Sequence, residues 1–339
     1  MKIGGGAPVT VQSMTNTKTA DVSSTVAQIK RLEAAGCDIV RVAVPDMEAA
    51  DAVGEIKTQI SIPLVADIHF DYKLALRAAE AGADKIRINP GNIGGGDRVR
   101  AVADICQKKR IPIRIGVNSG SVSKEILAKY GGLTPEAMYE SAVEHINLLN
   151  GFDFGDVCVS VKASSVPLTV AAYRILSERT DYPLHLGVTE AGTEYMGIVK
   201  SSIGIGSLLL DGIGDTIRVS LTAPPEREAE AGIAILRSLG LRKGPELISC
   251  PTCGRCGIDM IPIAGEVERR LMALNRDIVV AVMGCAVNGP GEASRADYGI
   301  AGGNGEGVLF KKGKIVKKIP VDKLVCELFI AIESEEDVI

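Results

Sequence analysis

No apolar run in this sequence approaches the roughly 20 residues that a membrane helix needs. The longest, "IVVAVMG" and "SLLL", fall far short. The start, "MKIGGGAPVT", has one lysine and no apolar stretch behind it, which argues against a secretory signal. A strong charge of either sign is missing too. The net charge of -4 gives no global argument for nucleic acid or a membrane surface as partner. Low-complexity tails are absent. These gaps leave a soluble, cytoplasmic protein. In that compartment eight cysteines point to metal or redox chemistry more than to disulfides. Cys37, Cys106, Cys158 and Cys326 lie inside apolar-patterned elements and read as small core residues.

Short β-rich runs alternate with helical ones through the first two thirds of the chain. The strand candidates are "VTVQSMT", "DIVRVAV", "PLVADIH", "KIRINP", "PIRIGV", "VCVSVKA", "LHLGVTE" and "DTIRVSL". Between the first two, Val22, Val26, Ile29 and Leu32 form one stripe, with Asp21 as N-cap and Gly36 as stop. Further on, Thr134 caps a helix with Pro135 at its first position and Gly151 after its end. Eight strand–helix pairs in about 240 residues predict a (β/α)8 TIM-type barrel over residues 1–242. An open doubly wound sheet is the rival, but the first strand–helix turn has no GxGxxG. After Gly240 the pattern changes. A cysteine-rich turn region, the helix "GEVERRLMALNR", the strand "DIVVAVMG", a hairpin around Lys312-Gly313 and the helix "VDKLVCELFIAIE" predict a small α+β domain over 243–339.

The first domain carries charge inside its apolar strands. Arg41, Asp67, His69, Arg87, Asn89, Arg114, Asn118, Lys162, Glu190, Arg218 and Ser220 all fall in strand candidates or at their ends. A barrel interior is normally packed with branched apolar residues, so charge toward the strand C-termini marks the mouth where barrel active sites sit. Five cations on five strands predict an anionic substrate, because guanidinium suits bidentate phosphate contact. The turns "NPGNIGGGD" and "GVNSGS" add backbone donors. On matching strand ends the obvious acids are Asp67 and Glu190. His69 beside Asp67 is a candidate acid/base. Glu190 is a candidate proton donor, its pKa expected to rise through burial and nearby anions. His145 and His185 read as structural.

Cys250, Cys253 and Cys256 stand three apart in "ISCPTCGRCGIDM", and Cys285 follows in "MGCAVNGPGEA". A zinc ribbon wants a second Cys-x-x-Cys about 15–20 residues on. Here a single cysteine comes 29 residues after Cys256. A ferredoxin run would continue to a Pro-followed cysteine. Thiolates suit an iron–sulfur cluster on Cys250, Cys253 and Cys285, with Cys256 or Glu292 as the fourth ligand; spacing leaves that choice open. Two rival readings are a Schiff-base aldolase with Lys162 as nucleophile on a phosphorylated substrate, and a zinc-ribbon module on a phosphate-binding barrel.

The motifs "VQSMTNT", "VADIHFDY", "RINPGNIG", "IRIGVNSGS", "SVKAS", "LHLGVTEAG", "GIGDTIRVSL", "CPTC" and "GCAVNGPGEA" together resemble the bacterial (E)-4-hydroxy-3-methylbut-2-enyl diphosphate synthase family, in order and over essentially the whole chain. The resemblance implies a barrel followed by an iron–sulfur domain like a module of sulfite and nitrite reductases. It implies reductive opening of 2-C-methyl-D-erythritol 2,4-cyclodiphosphate in isoprenoid biosynthesis by the methylerythritol phosphate pathway. Two electrons would come from reduced flavodoxin or ferredoxin through a [4Fe–4S] cluster. It further implies a homodimer with an active site shared between subunits. By motif, the cluster ligands become Cys250, Cys253, Cys285 and Glu292. The substrate-binding set becomes Arg41, Arg87, Asn89, Arg114, Asn118, Lys162, Arg218 and Ser220, and Glu190, Asp67 and His69 become the catalytic set. Cys256 falls outside the implied ligand pattern. The large plant-type insertion between the domains is missing.

Overall fold

The computed structural model describes residues 1–274, 276–285, 293–303 and 305–334. The chain divides into two compact units, Met1–Arg242 and Lys243–Ile339. In the first, strands β1 (Thr10–Met14), β2 (Ile39–Ala43), β3 (Leu64–Asp67), β4 (Lys85–Ile88), β5 (Ile113–Asn118), β6 (Val157–Lys162), β7 (His185–Leu186) and β8 (Thr216–Ile217) correspond to the eight runs read from sequence. They pair in parallel in the order β6-β5-β4-β3-β2-β1-β8-β7. A parallel bridge between Val159 and Leu184 joins β6 to β7, so the ring closes. The helices are α1 (Val22–Ala34), α2 (Met47–Lys57), α3 (Tyr72–Ala81), α4 (Gly96–Lys109), α5 (Lys124–Tyr130), α6 (Pro135–Asn150), α7 (Val166–Arg179), α8 (Glu194–Leu210) and α9 (Pro225–Ser238).

Local chemistry sets these boundaries. The Asp21 carboxylate accepts from the Ser24 N–H and the Thr134 hydroxyl from the Ala137 N–H, each satisfying an orphan donor of its helix. Gly36 takes φ +84° just past α1, a conformation that would strain any other residue. The apolar core lies between strands and helices, built from outward strand residues such as Val40, Val42, Ile86, Ile113 and Ile115 against Ile29, Leu32, Val53, Val99 and Leu208. At 25 cal/mol per Å2 this layer dominates the stability of the unit. The inward positions are different. Gln12, Lys85, Arg87, Arg114, Lys162, His185 and Thr216 are all buried polar or charged side chains. Arg114 Nη1 donates to Gln12 Oε1 at 2.6 Å. Their strands lie four apart in a ring of eight, so this bond spans the lumen.

The second unit is a five-stranded sheet, β13-β12-β11-β10-β9. Its strands are β9 (Glu246–Ser249), β10 (Val279–Met283), β11 (Tyr298–Ala301), β12 (Glu306–Lys311) and β13 (Lys314–Pro320). Strands β9, β10 and β11 run parallel, and β12 and β13 return antiparallel. Helices α10 (Met260–Ala273) and α11 (Leu324–Glu333) pack Val267, Leu271, Leu328, Phe329 and Ile332 on Val280, Val282 and Ile300. Lys312 and Gly313 both have positive φ, as a two-residue hairpin with right-handed twist requires. Three sequence expectations change. The helix read from Gly265 starts at Met260, because its first turn tolerates Pro262. Strands β9 and β11 are additional; β9 is only partly buried beside the cysteine-rich turns and β11 is interrupted by Gly299, so neither shows the apolar run that marks the barrel strands. Cys326 is exposed, because α11 turns its neighbours Leu324 and Leu328 inward instead.

Helix α9 sits close on β1. A Cβ on Gly232 would lie 2.8 Å from Val11 Cγ1. Gly232→Val is therefore expected to overpack this seam by about 1–3 kcal/mol and lower the melting temperature by several degrees, at about 2–4 °C per kcal/mol. Thermal unfolding followed by circular dichroism reads it directly; an unchanged midpoint would mean the helix has room to spare.

Candidate active site and thiol centre

Asp67 is the hub of the barrel mouth. It ends β3, is 2% exposed, and accepts from Arg87 Nη1 at 3.0 Å. Arg41 Nε stands 3.6 Å and His69 Nε2 3.4 Å from its other oxygen. Burial alone would raise the carboxyl pKa. The Arg41 charge, the His69 hydrogen bond and the Arg87 charge together outweigh burial and hold it well below the usual carboxylate range. Asp67 is thus a fixed negative charge that orders two arginines and a histidine. The histidine is half exposed on the rim.

Arg114 and Lys162 have no such partner. Among the described residues no carboxylate lies within ion-pair distance of either. Arg114 is 2% exposed, and among the described residues its Nη2 has no hydrogen-bond partner. Burial pushes its pKa down to about 10. Lys162, at the end of β6, is 8% exposed. Burial first, then the charges of Arg114, Arg218, Arg41 and Arg87, drive its pKa well below the ordinary lysine range. Space for its ammonium comes from Gly187, where a Cβ would lie 2.6 Å from Lys162 Nζ and 2.5 Å from the Arg218 carbonyl oxygen. Two buried cations without a counter-charge cost free energy unless an anion arrives. The geometry therefore fits an anionic ligand entering the mouth.

Arg218 is held differently. To the acids expected on strand ends, Asp67 and Glu190, the structure adds Glu228 of α9. Glu228 is 4% exposed and lies 3.3 Å from both Arg218 Nε and Nη2. Glu190 departs from its expected burial: it is exposed, in a left-handed conformation at φ +53°. The side chain of Asn89 accepts from the Gly91 N–H at 3.1 Å, shaping the glycine-rich turn after β4. Asn118 caps the turn Ser119–Ser121 reciprocally with Ser121. Ser220 is half-buried three residues past the end of β8. His185 is fully buried beside Thr216 and held neutral by burial and the surrounding cations. Sequence reasoning missed Gln12, Gly187 and Glu228. Only Glu228 carried a signal, as an acid in the first turn of a helix, and that pattern reads equally as a response to the helix dipole.

In the second unit, Cys250 directly follows β9 and Cys285 follows β10 by two residues. The strands are parallel neighbours with Ser249 opposite Val282, so both thiols leave the sheet at one end. Cys253 and Cys256 lie in the turn after β9. Gly284 N–H donates to Cys250 Sγ at 3.1 Å, the kind of bond that tunes an iron–sulfur thiolate. Cys256 instead donates its S–H to the Ile258 carbonyl at 3.2 Å. All four thiols are free of disulfides. Among the described residues no three His, Cys, Asp or Glu side chains converge on a metal position, and Glu292 lies outside the described residues. The donor chemistry of the set (soft thiols at paired strand ends, one already accepting a backbone N–H) fits a cluster.

Known proteins place this arrangement. Residues 1–233 match the profile of the GcpE TIM-barrel domain and residues 246–334 that of the GcpE protein C-terminal domain. A protein of Ruminiclostridium cellulolyticum named 4-hydroxy-3-methylbut-2-en-1-yl diphosphate synthase (flavodoxin) is 62% identical over 327 residues, covering 96% of this chain and 93% of that one. A protein of the same name from Clostridium perfringens is 60% identical over 333 residues, covering 98% of this chain and 95% of its own length. Among solved structures, the HPPK-DHPS of Plasmodium falciparum superposes with a TM-score of 0.50 at 12% identity, over 68% of this chain and 46% of that one; that likeness speaks for the barrel fold alone. With both profiles matched in order and relatives this similar end to end, the chain belongs to the GcpE family.

Proposed function

We infer that this chain is a 4-hydroxy-3-methylbut-2-enyl diphosphate synthase, an iron–sulfur oxidoreductase of isoprenoid biosynthesis. It reductively opens 2-C-methyl-D-erythritol 2,4-cyclodiphosphate and releases water and the linear allylic diphosphate. The structural observation that carries the reading is the pair of buried cations, Arg114 and Lys162, with no carboxylate in ion-pair reach among the described residues. A cyclic diphosphate supplies the missing charge. Arg41, Arg87 and Arg218 complete the cationic wall, with the turn formed by Asn89 and the capped turn at Asn118 as flanking donors. Asp67 keeps Arg41 and Arg87 in place and His69 on the rim. Glu190, exposed four residues past β7, is the group proposed to protonate the departing hydroxyl. The aldolase alternative for Lys162 finds no support, since the full-length kinship is to the synthases.

Cys250, Cys253, Cys285 and Glu292 are the residues proposed to hold a [4Fe–4S] cluster. When bound, the cluster would relay two electrons, one at a time, from the reduced donor to the substrate and would supply Lewis acidity through an iron not held by a thiolate. The names of the relatives support reduced flavodoxin, rather than ferredoxin, as the donor. A homodimer that shares its active site belongs to the same reading, on the strength of the family resemblance.

Protein prepared without oxygen is expected to bind about four irons and four sulfides per chain. The Cys256→Ser variant should retain both the cluster and turnover, since its thiol serves a carbonyl. Glu292→Ala should lose most activity. Chemical iron and sulfide analysis with electron paramagnetic resonance decides this, and a colourless protein carrying one zinc would refute it.

Lys162 adds a pH signature. Its folded pKa is depressed by burial and by the neighbouring cations, so between that value and the ordinary lysine range the empty mouth disfavours the charged amine. A bound diphosphate favours the ammonium and raises the pKa again. Binding in that window therefore takes up a proton, and affinity falls as pH rises through it. Calorimetry in buffers of different ionisation enthalpy should show net proton uptake on binding, abolished in Lys162→Met. Equal uptake by the variant would assign the proton elsewhere.

A further inference from the structure

We propose that Glu228 is a positioning residue for Arg218: its buried carboxylate aims the guanidinium into the barrel mouth and so sets how tightly the diphosphate is held. The inference rests on the reading above that Arg218 touches the substrate.

Both oxygens of Glu228 are committed. Oε2 accepts from the Ser13 hydroxyl at 2.9 Å and from Arg218 Nε at 3.3 Å. Oε1 accepts from the Leu221 backbone N–H at 3.1 Å and from Arg218 Nη2 at 3.3 Å. Ser13 and Leu221 therefore fix the carboxylate from two sides before Arg218 meets it. Ser13 lies on β1, and Arg218 directly follows β8, the strand paired with β1 in parallel. The helix supplying Glu228 is seated on that same seam through Gly232. The carboxylate is thus anchored to three elements, and its fork matches one edge of the guanidinium, Nε and Nη2. The opposite edge, with Nη1, remains for a ligand. The charge of Arg218 also reaches the lumen, because it contributes to depressing the Lys162 amine. A guanidinium on a long, flexible stem loses much entropy when a ligand fixes it, and a prior anchor removes part of that loss.

A merely structural role for Glu228 would stabilise the α9 seam without governing affinity. The two roles separate in a double-mutant cycle read by calorimetric binding of the cyclic diphosphate and by the split between KM and kcat. Glu228→Gln is expected to weaken binding by about tenfold, the size of one charge-assisted hydrogen bond, with kcat changed much less. Glu228→Asp keeps the charge but withdraws it by one methylene, and should give an intermediate affinity. It also serves as the readout should Glu228→Gln fold poorly. Arg218→Ala should weaken binding at least as much, and adding Glu228→Gln to it should cost nothing further. Unchanged affinity in both Glu228 variants, or an additive double mutant, would overturn the positioning role while leaving Arg218 as a ligand. Unchanged affinity in Arg218→Ala would instead overturn the reading of Arg218 itself, and this inference with it.

Discussion

Positive charge confined in a low-dielectric lumen repels itself, and the first unit is organised around that repulsion. Arg41, Arg87, Arg114, Lys162 and Arg218 converge on one mouth with two carboxylates, Asp67 and Glu228, in ion-pair reach of three of them. The two carboxylates work from opposite sides. Asp67 sits inside the ring and orders Arg41 and Arg87, and Glu228 reaches in from a surrounding helix to hold Arg218. Arg114 and Lys162 keep the unbalanced charge. In a stable apolar barrel such a residue pair would be a defect. Here it is the part of the fold whose free energy an anionic ligand would improve most, so on the reading proposed above the destabilisation of the empty mouth and its affinity for diphosphate would have one source.

The rest of the barrel is arranged so that this charge can persist. The apolar core has been moved outward, between strands and helices, where Val40, Ile86, Ile113 and Leu208 carry the stability that a packed lumen would otherwise provide. Glycine makes the cation placement possible, since any side chain at 187 would displace the Lys162 ammonium. The second unit is built on the opposite logic. Its sheet is apolar on both faces, and the reactive groups are gathered at one end of two parallel strands. A soft, thiol-rich centre and a hard, cationic mouth are different chemical environments, and separate folding units let each be tuned alone.

How much of this was legible in sequence depends on where each signal lies. The eight barrel strands were readable because buried parallel strands are apolar runs with a sharp stop, and because charges at Arg41, Arg87 and Arg218 punctuate them at matching depth. The hairpin at Lys312-Gly313 was readable because its turn demands positive φ twice. Strands β9 and β11 were not, since β9 is half-exposed among turns and β11 carries a glycine in mid-run. Glu228 was hidden because it joins the mouth from a helix, and sequence offers no way to know which helical carboxylate turns inward. The burial expected of Glu190 failed for a related reason: the chain leaves its extended path at that residue, so strand alternation no longer predicts its facing. Spacing alone argued against a zinc ribbon and left Cys256 and Glu292 both open as a fourth ligand. The hydrogen bond from Cys256 to Ile258 is a tertiary fact of that kind.

The bond between Gln12 and Arg114 crosses the lumen from one wall to the other, and His185 and Thr216 are buried against the same interior. A barrel braced in this way has a floor. On the reading proposed above, a diphosphate at the mouth would meet this brace at its inner end. Entry and exit would then share that one end of the barrel, and the water shed by an arriving diphosphate would have to pass the ligand that displaces it.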